Sequence, residues 1–244
     1  MANTHIVHSF DTDLDKIEGL LLEMGGLVES QIADATEALL SRNTELGKKV
    51  RKVDKRINAL ELEINERSVR LLALRQPMAE DLRIIVAIMK VSANLERIGD
   101  YAKNIAKRNK VLAQIPPIGS SGNTFKRMTA IVQEMVRQAL DAFIKRDLEI
   151  AEKVRVRDED VDLMHNTLFR ELLTYMMEDP RNITPCMHLL FIAKNIERAG
   201  DHTASIAKQI FYLVNGEYPE GKRPKGDKTS TMMVEPGASG EDKG

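Results

Sequence analysis

The chain has 244 residues, 36 basic against 37 acidic for a net charge of −1, with 43% hydrophobic and 4% aromatic residues. That length and apolar content suffice for one large core or two ordinary domains, and the near-zero charge sets up no global field to draw in nucleic acid or an anionic membrane. A single cysteine, Cys186, excludes an internal disulfide and a thiolate metal site, and reads as buried packing in a reducing compartment.

The start, MANTHIVHSFDTDLD, lacks a basic segment followed by an apolar core. No apolar run approaches the ~20 residues that span a bilayer, so a cytoplasmic protein without direct membrane insertion is expected. Ala, Leu, Ile, Met, Lys, Arg and Glu dominate and Trp is absent, which points to an all-α fold.

Residues 1–10 read as an N-terminal arm. Over about 11–43, Leu14, Ile17, Leu21, Met24, Val28, Ala35 and Ala38 fall at intervals of three, four or seven, which predicts an amphipathic helix facing a bundle. A second helix over 44–75 carries Leu46, Val50, Val53, Ile57, Leu60, Ile64, Leu71 and Leu74 on the same pattern, and Pro77 closes it. A third, from about 78 to 113, keeps its seam through Ile84, Ile88, Val91, Leu95, Ile98, Ala102 and Ile105 until Pro116 and Pro117 stop it. Residues 116–124 then read as a linker.

The second half repeats this order, with helices expected over 125–146, 147–177 and 185–215, the last capped by Thr184 and opened by Pro185. From Pro219 the chain is rich in Gly, Pro and charge, and 217–244 is expected to be a disordered tail. The duplication is explicit. NLERIGD (94–100) returns as NIERAGD (195–201), and eight of the fifteen residues from 94 to 108 match those from 195 to 209. At an offset of 104, Ala38, Arg42, Glu45, Lys49, Val50, Arg51 and Asp54 recur as Ala142, Arg146, Glu149, Lys153, Val154, Arg155 and Asp158. The expected architecture is two homologous three-helix bundles, 11–115 and 125–216, related by a pseudo-twofold axis.

Glu96 and Asp100, like Glu197 and Asp201, sit four apart on one helix face, where like charges repel. They lie beside the apolar seam, on the outer flank of the third helix. On the second helix Asp158 and Asp162 form another such pair, with His165 one turn on, and Asp54, Asn58 and Glu61 occupy the equivalent stripe. Facing stripes across a groove would collect three or four carboxylates, and a hard cation would relieve their repulsion. In a chain that is 30% charged, such spacing also marks an ordinary solvated face. The duplication, and the mid-helix Gly99 and Gly200, each less favourable than Ala by ~0.5–1 kcal/mol, weigh toward a site. Both readings stay open on residue chemistry alone.

A ferritin-like di-iron oxidase requires Glu-x-x-His pairs in a four-helix core. The nearest approach here is Asp162-Leu163-Met164-His165, and no Gly-rich phosphate loop occurs. No enzyme is expected. The basic run Lys48, Lys49, Arg51, Lys52, Lys55 and Arg56 reads as a solvated face or a docking patch.

The segment RQPMAEDLRIIVAIMKVSANLERIGDYAKNIAK (75–107), with the second NIERAGD, closely resembles the PhoU family of phosphate-responsive regulators. The resemblance implies two repeated three-helix bundles, a homodimer, and multinuclear metal sites at paired E(D)xxxD motifs. Carried over by position, these are Glu96 and Asp100 in one half and Glu197 and Asp201 in the other, with helix-two partners Asp158 and Asp162 and, less fully, Asp54 and the neutral Asn58. The implied role is a non-catalytic adaptor. It would couple a phosphate ABC transporter ATPase to a sensor histidine kinase and repress the phosphate-starvation response when phosphate is plentiful. An oxygen-rich donor set points to Mg²⁺, Mn²⁺ or iron, zinc being a further candidate ion, and charge count favours tighter binding at the second site.

Overall fold

The computed structural model describes residues 2–119, 121–221 and 223–231. Among the described residues six long helices carry the fold: α1 (Ala2–Leu40), α2 (Thr44–Arg75), α3 (Ala79–Leu112), α4 (Gly122–Lys145), α5 (Leu148–Glu178) and α6 (Ile183–Asn215). Short 3₁₀ turns occupy Pro180–Asn182 and Thr229–Thr231.

The duplication extends to the turns. Arg42 and Arg146, equivalent at the offset of 104, both adopt left-handed backbone, with φ of 56° and 55°. Each is followed by an N-cap whose side chain accepts from the next helix: Asn43 from the Leu46 N–H at 3.0 Å, Asp147 from the Glu149 and Ile150 N–H groups at 2.9 and 3.0 Å. Such caps satisfy backbone donors that the first helical turn leaves unpaired.

Within each half the three helices pack against one another, and the halves meet through α3 on α6 and α1 on α4. Each central helix therefore packs on its own repeat counterpart, as a pseudo-twofold relation requires. Seam residues such as Ile57, Ile88, Leu95, Ile98, Val161, Ile192, Ile196 and Ile206 are buried in one continuous core spanning both halves. The outer helices α2 and α5 flank it.

Several boundaries differ from the sequence expectation. Helix α1 begins at Ala2, so the stretch 2–10 expected as an arm is helical. Helix α6 starts at Ile183, ahead of Thr184 and Pro185, because the 3₁₀ turn capped by Asp179 feeds directly into it. The largest difference is at the end of the chain. Helix α6 stops at Gly216, φ 78°, and Tyr218 then stacks on Tyr212 with ring centroids 5.2 Å apart. Residues 223–231, expected as disordered tail, run back across α5 and α6, held by ion pairs and hydrogen bonds that composition does not reveal. Residues 232–244 of that expected tail lie outside the described residues.

Candidate functional site

Helices α2 and α3 are joined by a three-residue turn, as α5 and α6 are by a short connection, so each pair runs antiparallel with its acidic stripes facing. In the first half Asp54 of α2 is buried at 5% exposure, while Glu96 and Asp100 of α3 are half-buried. The Lys103 ammonium joins the helices, donating to Asp54 Oδ2 at 2.9 Å and to Asp100 Oδ1. Arg97 Nη1 is 3.8 Å from Asp100 and Arg97 Nε 3.8 Å from Glu96. Burial raises the Glu96 pKa, reinforced by Asp100 and opposed by Arg97. Asn58 is exposed and outside this cluster.

The second half is drier. Asp158, Asp162 and Glu197 are 0%, 2% and 3% exposed, and Asp201 is half-buried. Glu197 and Asp201 were expected on the outer flank of the third helix, and Glu197 is instead buried. The C-terminal segment lies over this groove and adds to the cover that the helices provide. Arg223 spans it, one terminal nitrogen on Asp158 of α5 and the other on Asp201 of α6. Lys194 Nζ lies 2.8 Å from Glu197 Oε1 and 2.7 Å from Asp227 Oδ2, and the Gly226 N–H donates to Asp162 Oδ2 at 2.8 Å. Burial pushes Asp158 up to about 7, with Asp162 and Glu197 acting in the same direction and Arg223 opposing. Burial likewise raises Glu197 against the pull of Lys194, and lowers His165 against that of Asp227. For Asp227, hydrogen bonds from Lys194 and Thr229 outweigh burial and hold its carboxyl well below the usual range.

Among the described residues no three His, Cys, Asp or Glu side chains converge closely enough to hold a metal ion as they stand. Yet the groove keeps open valences. Among the described residues, Asp54 Oδ1, Asp158 Oδ1, Glu197 Oε2 and His165 Nδ1 are buried without a hydrogen-bond partner, His165 Nδ1 being 3.6 Å from Asp227. A buried acceptor left unpaired costs about 1–3 kcal/mol. The repeat-equivalent Asp54 and Asp158 share one pattern, Oδ2 on a cationic side chain and Oδ1 free. Gly200 makes room for that free oxygen, since a Cβ there would stand 2.6 Å from Asp158 Oδ1. Oxygen-rich donors with one imidazole suit a divalent cation, and the donor set fits one once the counter-cations withdraw.

Residues 21–108 and 125–210 each match the family model described as the PhoU domain. The chain belongs to the PhoU family. It is 46% identical over 234 residues to the phosphate-specific transport system accessory protein PhoU homolog of Rhizobium meliloti, covering 95% of this chain and 98% of that relative. The Caulobacter vibrioides homolog is 46% identical over 226 residues, 93% of this chain and 98% of its own length. Among solved structures, PhoU from Pseudomonas aeruginosa superimposes with a TM-score of 0.82 at 42% identity, across 85% of this chain and 100% of the other. The phosphate transport system regulatory protein PhoU from Streptococcus pneumoniae gives 0.79 at 29% identity, across 86% and 99%.

Each PhoU domain thus carries one carboxylate groove. Asp54 and Asp100 come together through Lys103, and Asp158 and Asp201 through Arg223, while Asp162 and Glu197 bond to Gly226 and Lys194. The sequence reading missed those cations. Lys103 and Lys194 carry a readable signal, each standing three residues from an acid of the repeated motif, whereas Arg223 is 65 residues from Asp158 and carries none.

Proposed function

We propose that this protein is a non-catalytic adaptor of a phosphate transport system. It couples the ABC transporter ATPase to a sensor histidine kinase, represses the phosphate-starvation response when phosphate is plentiful, and works as a cytoplasmic homodimer. The observation that carries this reading is its 46% identity, over 95% of the chain, to a relative named as a phosphate-specific transport system accessory protein. No described helix is long and apolar enough to cross a membrane, so membrane events would reach it through partners. Deletion should switch on phosphate-starvation genes in ample phosphate; a silent reporter in the deletion strain overturns the regulatory role. Pull-down of the ATPase and the kinase at high and low phosphate tests the two couplings separately.

The same reading gives the grooves a cation each: Asp54, Glu96 and Asp100 in the first half, and Asp158, Asp162, Glu197 and Asp201 with His165 in the second. A bound Mg²⁺, Mn²⁺, iron or zinc ion would neutralise the acids and brace the two helices. The unpartnered buried oxygens support this. A second reading, an adaptor that works without metal, is supported by Lys103, Lys194 and Arg223, which already neutralise much of that charge. Metal analysis of protein purified without a nickel column separates the two.

A further inference from the structure

The two grooves solve the same electrostatic problem by different means. In the first, the counter-cation is built into the helix: Lys103 sits one turn beyond Asp100 on α3. At the equivalent position of α6 stands Ala204, which has no charge to offer Asp201. The missing cation comes instead from beyond the last long helix. Arg223 places its two terminal nitrogens on the carboxylates of Asp158 and Asp201, and is itself only 15% exposed.

The rest of the segment is held as a bound peptide would be. Asn166 of α5, buried at 8% exposure, pairs with its backbone in both directions, donating from Nδ2 to Gly226 O at 2.5 Å and accepting at Oδ1 from the Lys228 N–H at 3.0 Å. The Gly226 N–H takes Asp162, and Asp227 takes Lys194. Gly226 lies so close to α5 that a Cβ there would be 3.0 Å from Asp162 Cβ. Every acid of the second groove is touched by this strap directly or through Lys194, and among the described residues Asp158 Oδ1, Glu197 Oε2 and His165 Nδ1 beneath it are buried without a hydrogen-bond partner, His165 Nδ1 facing Asp227 at 3.6 Å.

We infer that the segment 223–231 is a tethered ligand of the second carboxylate groove, with Arg223 standing where a divalent cation would bind, so that cation entry and strap release are one linked equilibrium. The inference rests on the metal-binding part of the proposed function. Arg223 and a divalent ion would draw on the same Asp158 and Asp201 carboxylates, and two positive charges cannot share that space. A tethered competitor acts at millimolar effective concentration, and occupancy of the strapped state lowers apparent affinity for the ion by the fraction of chains left open. By reciprocity the ion loosens the strap by the factor the strap weakens the ion. The first groove, whose lysine is part of its own helix, has no such release.

The test uses Mn²⁺ titration calorimetry on the full chain in an Asp100→Asn background, so that the heat reports the second groove. Arg223→Ala removes the competing cation. Asn166→Ala removes the clasp on the strap backbone while leaving every carboxylate in place, and circular dichroism confirms that each variant is folded. Both should bind Mn²⁺ at least about tenfold more tightly than the background chain. In that chain, saturating Mn²⁺ should speed hydrogen exchange at the Gly226 and Lys228 amides. Binding unchanged by either substitution, or weakened by Arg223→Ala, overturns the strap and leaves the metal site standing; absence of binding in all three chains overturns both.

Discussion

Tyr101 and His202 occupy the same position in the two repeats and meet each other where α3 packs on α6, the tyrosine hydroxyl 3.2 Å from the imidazole Nε2 and the ring centroids 5.5 Å apart. The partners set the tautomer. Asn94 gives its amide N–H to Lys90 O at 2.7 Å, so its Oδ1, 2.8 Å from His202 Nδ1, accepts from the ring. Nε2 is then the lone-pair nitrogen and the Tyr101 hydroxyl donates to it. One position of the ancestral repeat has become an unlike pair that needs a neutral imidazole.

That pair makes stability pH-dependent in a definite direction. Burial, and then the charges of Arg97 and Arg198, hold His202 below the ordinary 6.5. Below pH 6.5 the unfolded chain takes up a proton that the folded chain resists, so this residue's contribution is complete above that pH and is lost as pH falls toward its folded value. Asp158 runs the other way, since its raised value favours the folded state at low pH and that gain fades as pH rises from 3.8 to about 7. Comparing parent with His202→Gln cancels Asp158: the melting temperature of the variant should fall less steeply between about pH 7 and about pH 5. Parallel curves would refute the assignment.

Gly200→Ala and Gly19→Ala should shift stability in opposite directions. A Cβ at Gly200 would meet Asp158 Oδ1 at 2.6 Å, whereas nothing lies within 4 Å of one at Gly19. Helix preference alone favours Ala by ~0.5–1 kcal/mol, and Gly19→Ala should gain that. At Gly200 the displaced buried carboxylate costs about 1–3 kcal/mol, and a net loss is expected. Urea midpoints decide it.

Lys103→Met should destabilise the first half. It strips Asp54, which is 5% exposed, of the ammonium on its Oδ2 and leaves both carboxylate oxygens unsatisfied, since Oδ1 already lacks a partner. A loss of about 1–3 kcal/mol in urea unfolding is expected. Lys103→Arg should recover most of it, and equal stability of parent and Met variant would show the bridge to be a solvent-screened contact.

With the strap disabled by Arg223→Ala, Asp201→Asn should weaken Mn²⁺ binding more than Asp100→Asn does. Asp201 shares its groove with Asp158, Asp162 and Glu197, three acids that are 0%, 2% and 3% exposed, while Asp100 has Asp54, the half-buried Glu96 and a lysine that stays in place. Equal losses on titration would show that charge count does not rank the sites.

The repeat, the six helices and the acidic stripes were legible because each is a local periodic signal. The bounds Thr44–Arg75 follow from the Asn43 cap and Pro77. Asp54 and Asp158 stood out through the offset of 104, but their near-complete burial did not, because burial depends on what covers them. For Asp158 the cover includes a Gly- and Pro-rich stretch whose composition argues for disorder, and its order comes from long-range ion pairs that no window of sequence contains. Asn58 was carried along by its place in the stripe and proves exposed.

The shared core of α3 and α6 bears on how such a molecule transmits a signal. Swinging one half away from the other would part α3 from α6 and α1 from α4 and bring toward water residues such as Leu140, which packs on Gly25, and the Tyr101–His202 pair, at about 1.5–3 kcal/mol for each large side chain uncovered. A few such residues would consume most of the free energy that a single ion or docking event supplies. Domain opening is therefore a costly output, and the inexpensive degrees of freedom lie at the periphery, where outer helices and terminal segments rearrange over a rigid keel.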